Sequence, residues 1–152
     1  MNILALDLGT KCGYASSTGH SGVWNLKPST HESAGERYRK FKAVLTEIIK
    51  AEPINFLVYE EVHRHIGTEA AHVYGGLMAI VQVVCLENAI EYKGVGVQTI
   101  KKHATGKGNA KKDDMILAAC LNNKGINLTG GDDQADALCL LDYAQKIIFN
   151  CK

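Results

Sequence analysis

Two short apolar runs, NILALD ending at Asp7 and NFLVYE ending at Glu60, each finish on a carboxylate. That pattern constrains the fold more than any other feature of the chain. Both runs have the length of a strand, and the second is almost continuously apolar, as in a strand covered on both faces. A carboxylate at the end of a buried strand is costly unless it is paired or bound to a cation. If the two strands lie side by side in parallel, both acids emerge at one edge of the sheet. Ligand sites in open α/β sheets form at that edge.

The rest of the chain fits an α/β reading. Two strand-like runs, Cys12 to Ser17 and Gly22 to Leu26, follow the first closely and suggest an antiparallel meander. From His31 the period changes: Ala34, Tyr38, Phe41, Leu45 and Ile48 recur at helical steps, and Pro53 closes the helix. A loop from His63 to Thr68 leads into an apolar helix over about 69–91, in which Gly75-Gly76 permits close backbone approach. Lys93 to Val97 reads as a strand, and 114–122 and 132–149 as the last two helices. The order β-β-β-α-β-α-β-α-α implies a mixed sheet flanked by helices. A length of 152 residues favours one domain over 1–152. No run approaches ~18 consecutive apolar residues, so no membrane span is expected.

Two more acids, Asp133 and Asp136, stand three apart at the start of the last helix, within one turn and on one face. Each acid has an ordinary reading: a turn for Asp7, an N-cap near Asp132 or Asp133, a solvated strand end for Glu60 and Glu61. Together they place four carboxylates where one cluster can form. Oxygen-only ligands select hard cations, magnesium or manganese, and two such ions suit phosphodiester hydrolysis.

A net charge of +1, from 17 bases against 16 acids, argues against a dedicated nucleic-acid binder only if the charges are mixed. They are segregated. Lys93, Lys101, Lys102, Lys107, Lys111, Lys112 and His103 lie in one stretch without an acid. Its Thr105-Gly106-Lys107-Gly108-Asn109 loop is suited to phosphate contact, although it lacks P-loop spacing. It reads either as a phosphate-binding surface or as a solvated lysine-rich loop. His63, His65 and His72 have no acid or thiol at zinc-like spacing; His63 and His65 read equally as phosphate or base contacts and as surface residues. The five cysteines form no CxxC pair and read as reduced thiols.

ILALDLGTKCGYA, VYEEV, the GKGNAKKDD loop-helix and DDQADAL occur in an order and spacing that resemble the RuvC family of Holliday junction resolvases, over about 2–144. The resemblance implies an RNase H-like fold with a five-stranded mixed sheet. It also implies a homodimeric, two-magnesium endonuclease acting on four-way junctions and other branched DNA in recombination and repair. Such an enzyme belongs in the bacterial cytoplasm, and this chain looks closest to phage-type members. The family's metal ligands fall on Asp7, Glu60, Asp133 and Asp136. Its loop lysine falls on Lys107, a catalytic candidate, with Lys111 or Lys112 as the second. Lys101, Lys102, His63 and His65 complete the expected DNA surface. His63 stands where cellular members usually carry an aromatic residue. The alternatives are a YqgF-like RNA-processing nuclease, similar at the first strand and final acids, and a non-catalytic nucleic-acid-binding module. The apolar helix around 73–85 is the candidate dimer face.

Overall fold

The computed structural model describes residues 1–150. Its five strands are β1 (Ile3–Asp7), β2 (Lys11–Ser16), β3 (Ser21–Asn25), β4 (Phe56–Glu61) and β5 (Glu91–Gly96). They form one sheet in the order β3-β2-β1-β4-β5. The meander β1-β2-β3 is antiparallel, whereas β1-β4 and β4-β5 are parallel. This is the expected mixed sheet of an RNase H-like α/β fold, with β1 and β4 side by side.

Strand alternation sorts the core into two layers. Ile3 and Ala5 of β1, with Phe56 and Val58 of β4, pack under α4 (Lys112–Asn122) and α5 (Gly131–Tyr143). Leu4 and Leu6, with Leu57 and Tyr59, pack against α1 (Glu36–Ala51) and α2 (Thr68–Glu87). The sheet is therefore covered on both sides, which explains why NILALD and NFLVYE contain so little polarity before their terminal acids.

Three helical features bear on these expectations. The expected element order lacks one helix: within the basic stretch, Val97–Thr105 forms α3, ending at left-handed Gly106. Its β-branched Val97, Thr99, Ile100 and Thr105 lower helix propensity and hide it. However, its apolar Val97, Ile100 and Ala104 already have helical spacing. Secondly, Gly76 does not wait for a second subunit: a Cβ there would lie 2.4 Å from the Tyr38 ring, so the glycine lets α1 press on α2. Gly75 has nothing comparable near it. Thirdly, α2 is long and apolar enough on average to pass for a membrane span, even though polar residues interrupt its apolar runs. Val73, Tyr74, Leu77, Val81, Val84 and Cys85 line its buried side.

The last helix is α-helical only to Tyr143 and continues through a π turn, Ala144–Ile148. Cys12, Cys85 and Cys139 are buried free thiols, Cys120 is exposed, and Cys151 lies outside the described residues.

Candidate active site

Alternation along the strands brings the acids together. Asp7 continues the Ile3-Ala5 side of β1, and Glu60 continues the Phe56-Val58 side of β4; both sides are covered by α5. Leu6 pairs with Tyr59, so the next residues, Asp7 and Glu60, leave adjacent strands at the same level. Glu61 has the opposite parity, which distinguishes the two glutamates. Gly13, the register partner of Asp7 on β2, brings in the helix. A Cβ on Gly13 would stand 1.9 Å from the Asp133 carbonyl oxygen. The missing side chain thus lets the first turn of α5 rest directly on the sheet, where the charges of Asp133 and Asp136 reach Asp7 and that of Asp136 reaches Glu60.

These carboxylates are poorly compensated. Burial, then repulsion from Glu60, Asp136, Asp133 and Asp132, holds the Asp7 carboxyl well above the usual range. Burial and the charge of Asp136 push Glu60 up to about 7, against an opposing pull from Lys101. Asp136 is pushed up to about 6, first by burial and then by Asp132, again with Lys101 opposing. Asp133 is raised by burial and Asp132. The reverse holds for Asp132, whose 2.7 Å ion pair with Lys112 lowers it. A divalent cation would relieve this repulsion, and an all-oxygen donor set fits magnesium or manganese. Among the described residues no three potential ligands close into a finished cage, so the quartet is an acidic patch presented at the sheet edge.

The basic residues separate into different surroundings. Lys101 is half-buried on α3, next to buried Ile100, and its charge reaches both Glu60 and Asp136. Lys112 reaches the cluster through Asp132. Lys107 instead lies on the exposed turn after α3, lining a cavity of about 300 Å3 with Asp114, Leu117 and Leu121. Lys102 and Lys111 are exposed, and the Lys111 amide donates to Asp114 at the start of α4. His63 and Lys101 border one cavity, while His65 borders another across the β4–α2 loop. The histidines therefore form no common metal site.

Sequence reasoning missed Tyr74. Its hydroxyl donates to the Glu60 carbonyl at 2.9 Å and accepts from the Val62 amide at 3.1 Å. This clamps the strand end that carries Glu60. The hydroxyl on an apolar helix was the available signal, because a buried tyrosine usually finds a polar partner.

No protein-family model matches the chain. It does align along nearly its whole length with curated crossover junction endodeoxyribonucleases. The RuvC of Brachyspira hyodysenteriae is 27% identical over 164 residues, covering 99% of this chain and 98% of that protein. The RuvC of Chlamydia muridarum is 26% identical over 149 residues, covering 91% and 87%. The chain thus resembles RuvC proteins along nearly its whole length. The fold agrees: Thermus thermophilus RuvC in complex with a Holliday junction superposes on this chain with a TM-score of 0.80 at 23% identity, covering 92% of this chain and 90% of that one. The yeast mitochondrial Holliday junction resolvase Ydc2 gives a TM-score of 0.63 at 12% identity, covering 91% and 75%.

Proposed function

We propose that this chain is a RuvC-family, structure-selective DNA endonuclease that resolves four-way junctions by metal-dependent phosphodiester hydrolysis in recombination and repair. The observation that carries this reading is the group of under-compensated carboxylates at the ends of β1, β4 and the start of α5, flanked by lysines. Asp7, Glu60, Asp133 and Asp136 would hold two magnesium ions, or manganese in their place, supplying the Lewis acidity that this hydrolysis needs. Asp7, whose carboxyl feels Glu60, Asp136 and Asp133 together, would be a principal ligand. Tyr74 keeps the Glu60 backbone in place. Lys101 is suited to offset charge on the scissile phosphate, because it already acts on the field at Glu60 and Asp136. Lys107, Lys111, Lys102 and His63 extend the phosphate-binding surface from there.

The proposal treats 1–152 as one nuclease domain working as a homodimer in the bacterial cytoplasm, on junctions from cellular or phage DNA. The outward Val83 and Leu86 of α2 are its candidate dimer face, both exposed apolar residues.

Cleavage of four-way, flap and linear DNA by wild type and Asp7→Asn tests the function. Magnesium-dependent nicking of branched DNA is expected, with a loss of at least about a hundredfold in the variant. Binding without cleavage would indicate the binding module. Preference for RNA would indicate the YqgF-like nuclease.

A further inference from the structure

Beside the β1–β2 turn, on the α1 and α2 side of the sheet, lies a cavity of about 560 Å3. Its walls include Gly9 and Thr10 of the turn, Arg37 of α1, and His65, Gly67 and Tyr74 from the β4–α2 region. Arg37 Nε and His65 Nε2 are, among the described residues, the buried side-chain polar atoms left without a hydrogen-bond partner. Both residues line this one cavity. Neighbouring bases on α1 are matched differently: Arg39 bonds Glu36 and Lys40 bonds Glu32. Arg37 takes part in none of the described ion pairs. Glu69 stands on the same wall but is exposed and unbonded to it.

A guanidinium keeps its charge at any working pH, and its planar fork matches a phosphate. Buried Leu8, Val73 and Tyr74 supply low-dielectric walls, which strengthen attraction for an anion. With the proton on Nε2, His65 adds a second donor. The Leu8-Gly9-Thr10 wall begins one residue after Asp7, so a strand held at the acids can continue across the turn into the cavity.

We infer that this cavity is a second phosphate subsite, in which Arg37 and His65 hold a backbone phosphate flanking the one to be cut. The inference rests on the nuclease reading for its ligand. Arg37 Nε and His65 Nε2 are buried, so contact with a phosphate requires the cavity wall to give. Ile66 is fully exposed and Gly67 has a positive φ of 94°, so no packed side chain of Ile66 opposes that movement.

Junction binding by Asp7→Asn protein in magnesium, with and without Arg37→Gln, tests the subsite. The phosphates flanking the cleavage position are replaced one at a time by neutral methylphosphonates. With Arg37 present, one replacement should weaken binding about tenfold, as expected for a charge-assisted contact. In the Arg37→Gln background that same replacement should change binding less than about twofold, and the salt dependence should lose about one unit of slope. Arg37→Lys should keep part of the sensitivity, and His65→Ala should lose a smaller part. Unchanged affinity in a folded Arg37→Gln protein would overturn the subsite. So would methylphosphonate penalties identical in both backgrounds, which would make Arg37 structural. If the coupling is present but wild type nicks no DNA, the subsite stands and the nuclease reading fails.

Discussion

The two ends of the sheet treat buried carboxylates in opposite ways. At the end where β1 starts, Glu52, just beyond α1, is buried and fully engaged. Ser16 Oγ and Thr18 Oγ1 donate to its Oε2 at 2.5 and 2.6 Å, and His20 Nδ1 donates to Oε1 at 2.5 Å. Burial acts to raise this carboxyl, but the three donors outweigh it and leave it below the usual value. At the other end Asp7, Glu60 and Asp136 face one another, and all three are raised. Glu52 ties the β2–β3 turn to the end of α1. The acid quartet is held above the usual range by burial and mutual repulsion, so the comparison separates a carboxylate satisfied by hydrogen bonds from carboxylates that repel one another.

The strongest way to break the contrast is Asp7→Asn. Besides the loss of nicking, metal-free variant protein should melt higher than metal-free wild type, because one member of a repulsive group is gone. A lower melting temperature would show that Asp7 is structurally satisfied. The two lysines give the next largest effect. Lys101→Ala should reduce single-turnover cleavage of bound junction by about ten- to a hundredfold, whereas Lys107→Ala should reduce mainly affinity. Equal losses in turnover would remove the distinction between them.

Glu52→Gln tests the other end. It removes the charge and one of the two oxygens that accept these three bonds, and should destabilise the protein by about 1–3 kcal/mol in urea unfolding, with or without magnesium. A pH series compares the ends directly. The raised carboxyls stabilise the fold below their unfolded values near 4–5 and lose that contribution as pH rises through about 6 and 7. The lowered Glu52 acts conversely, contributing above its unfolded value and losing that contribution only as pH falls through its folded one. Metal-free protein should therefore lose stability between pH 5 and 8, and magnesium should flatten the slope. The smallest effect is expected from Tyr74→Phe. Loss of its two hydrogen bonds should cost about 1 kcal/mol of stability and a few-fold in turnover, with junction affinity unchanged.

Much of this site was legible without a structure because strand period and helix period are properties of the chain. Asp7 and Glu60 end apolar runs, and Asp133 and Asp136 share a helical face, so their types and spacing already pointed to one edge. Lys101 was less legible. Placing it beside Glu60 and Asp136 required α3, and the β-branched residues of that helix disguise a short helix whose buried residue is Ile100.

The sequence by itself determined the strand ends, the carboxylates that stand at them and the segregation of acid from base. Local spacing and side-chain chemistry are enough for each. The tertiary structure decided which acids converge, through Gly13 and its close contact with α5, and which of two adjacent glutamates faces them. It also decided that Arg37 and His65 share a cavity although 28 positions separate them in the chain (65 − 37). Such meetings depend on how elements pack, and packing between distant segments leaves no periodic trace in the sequence.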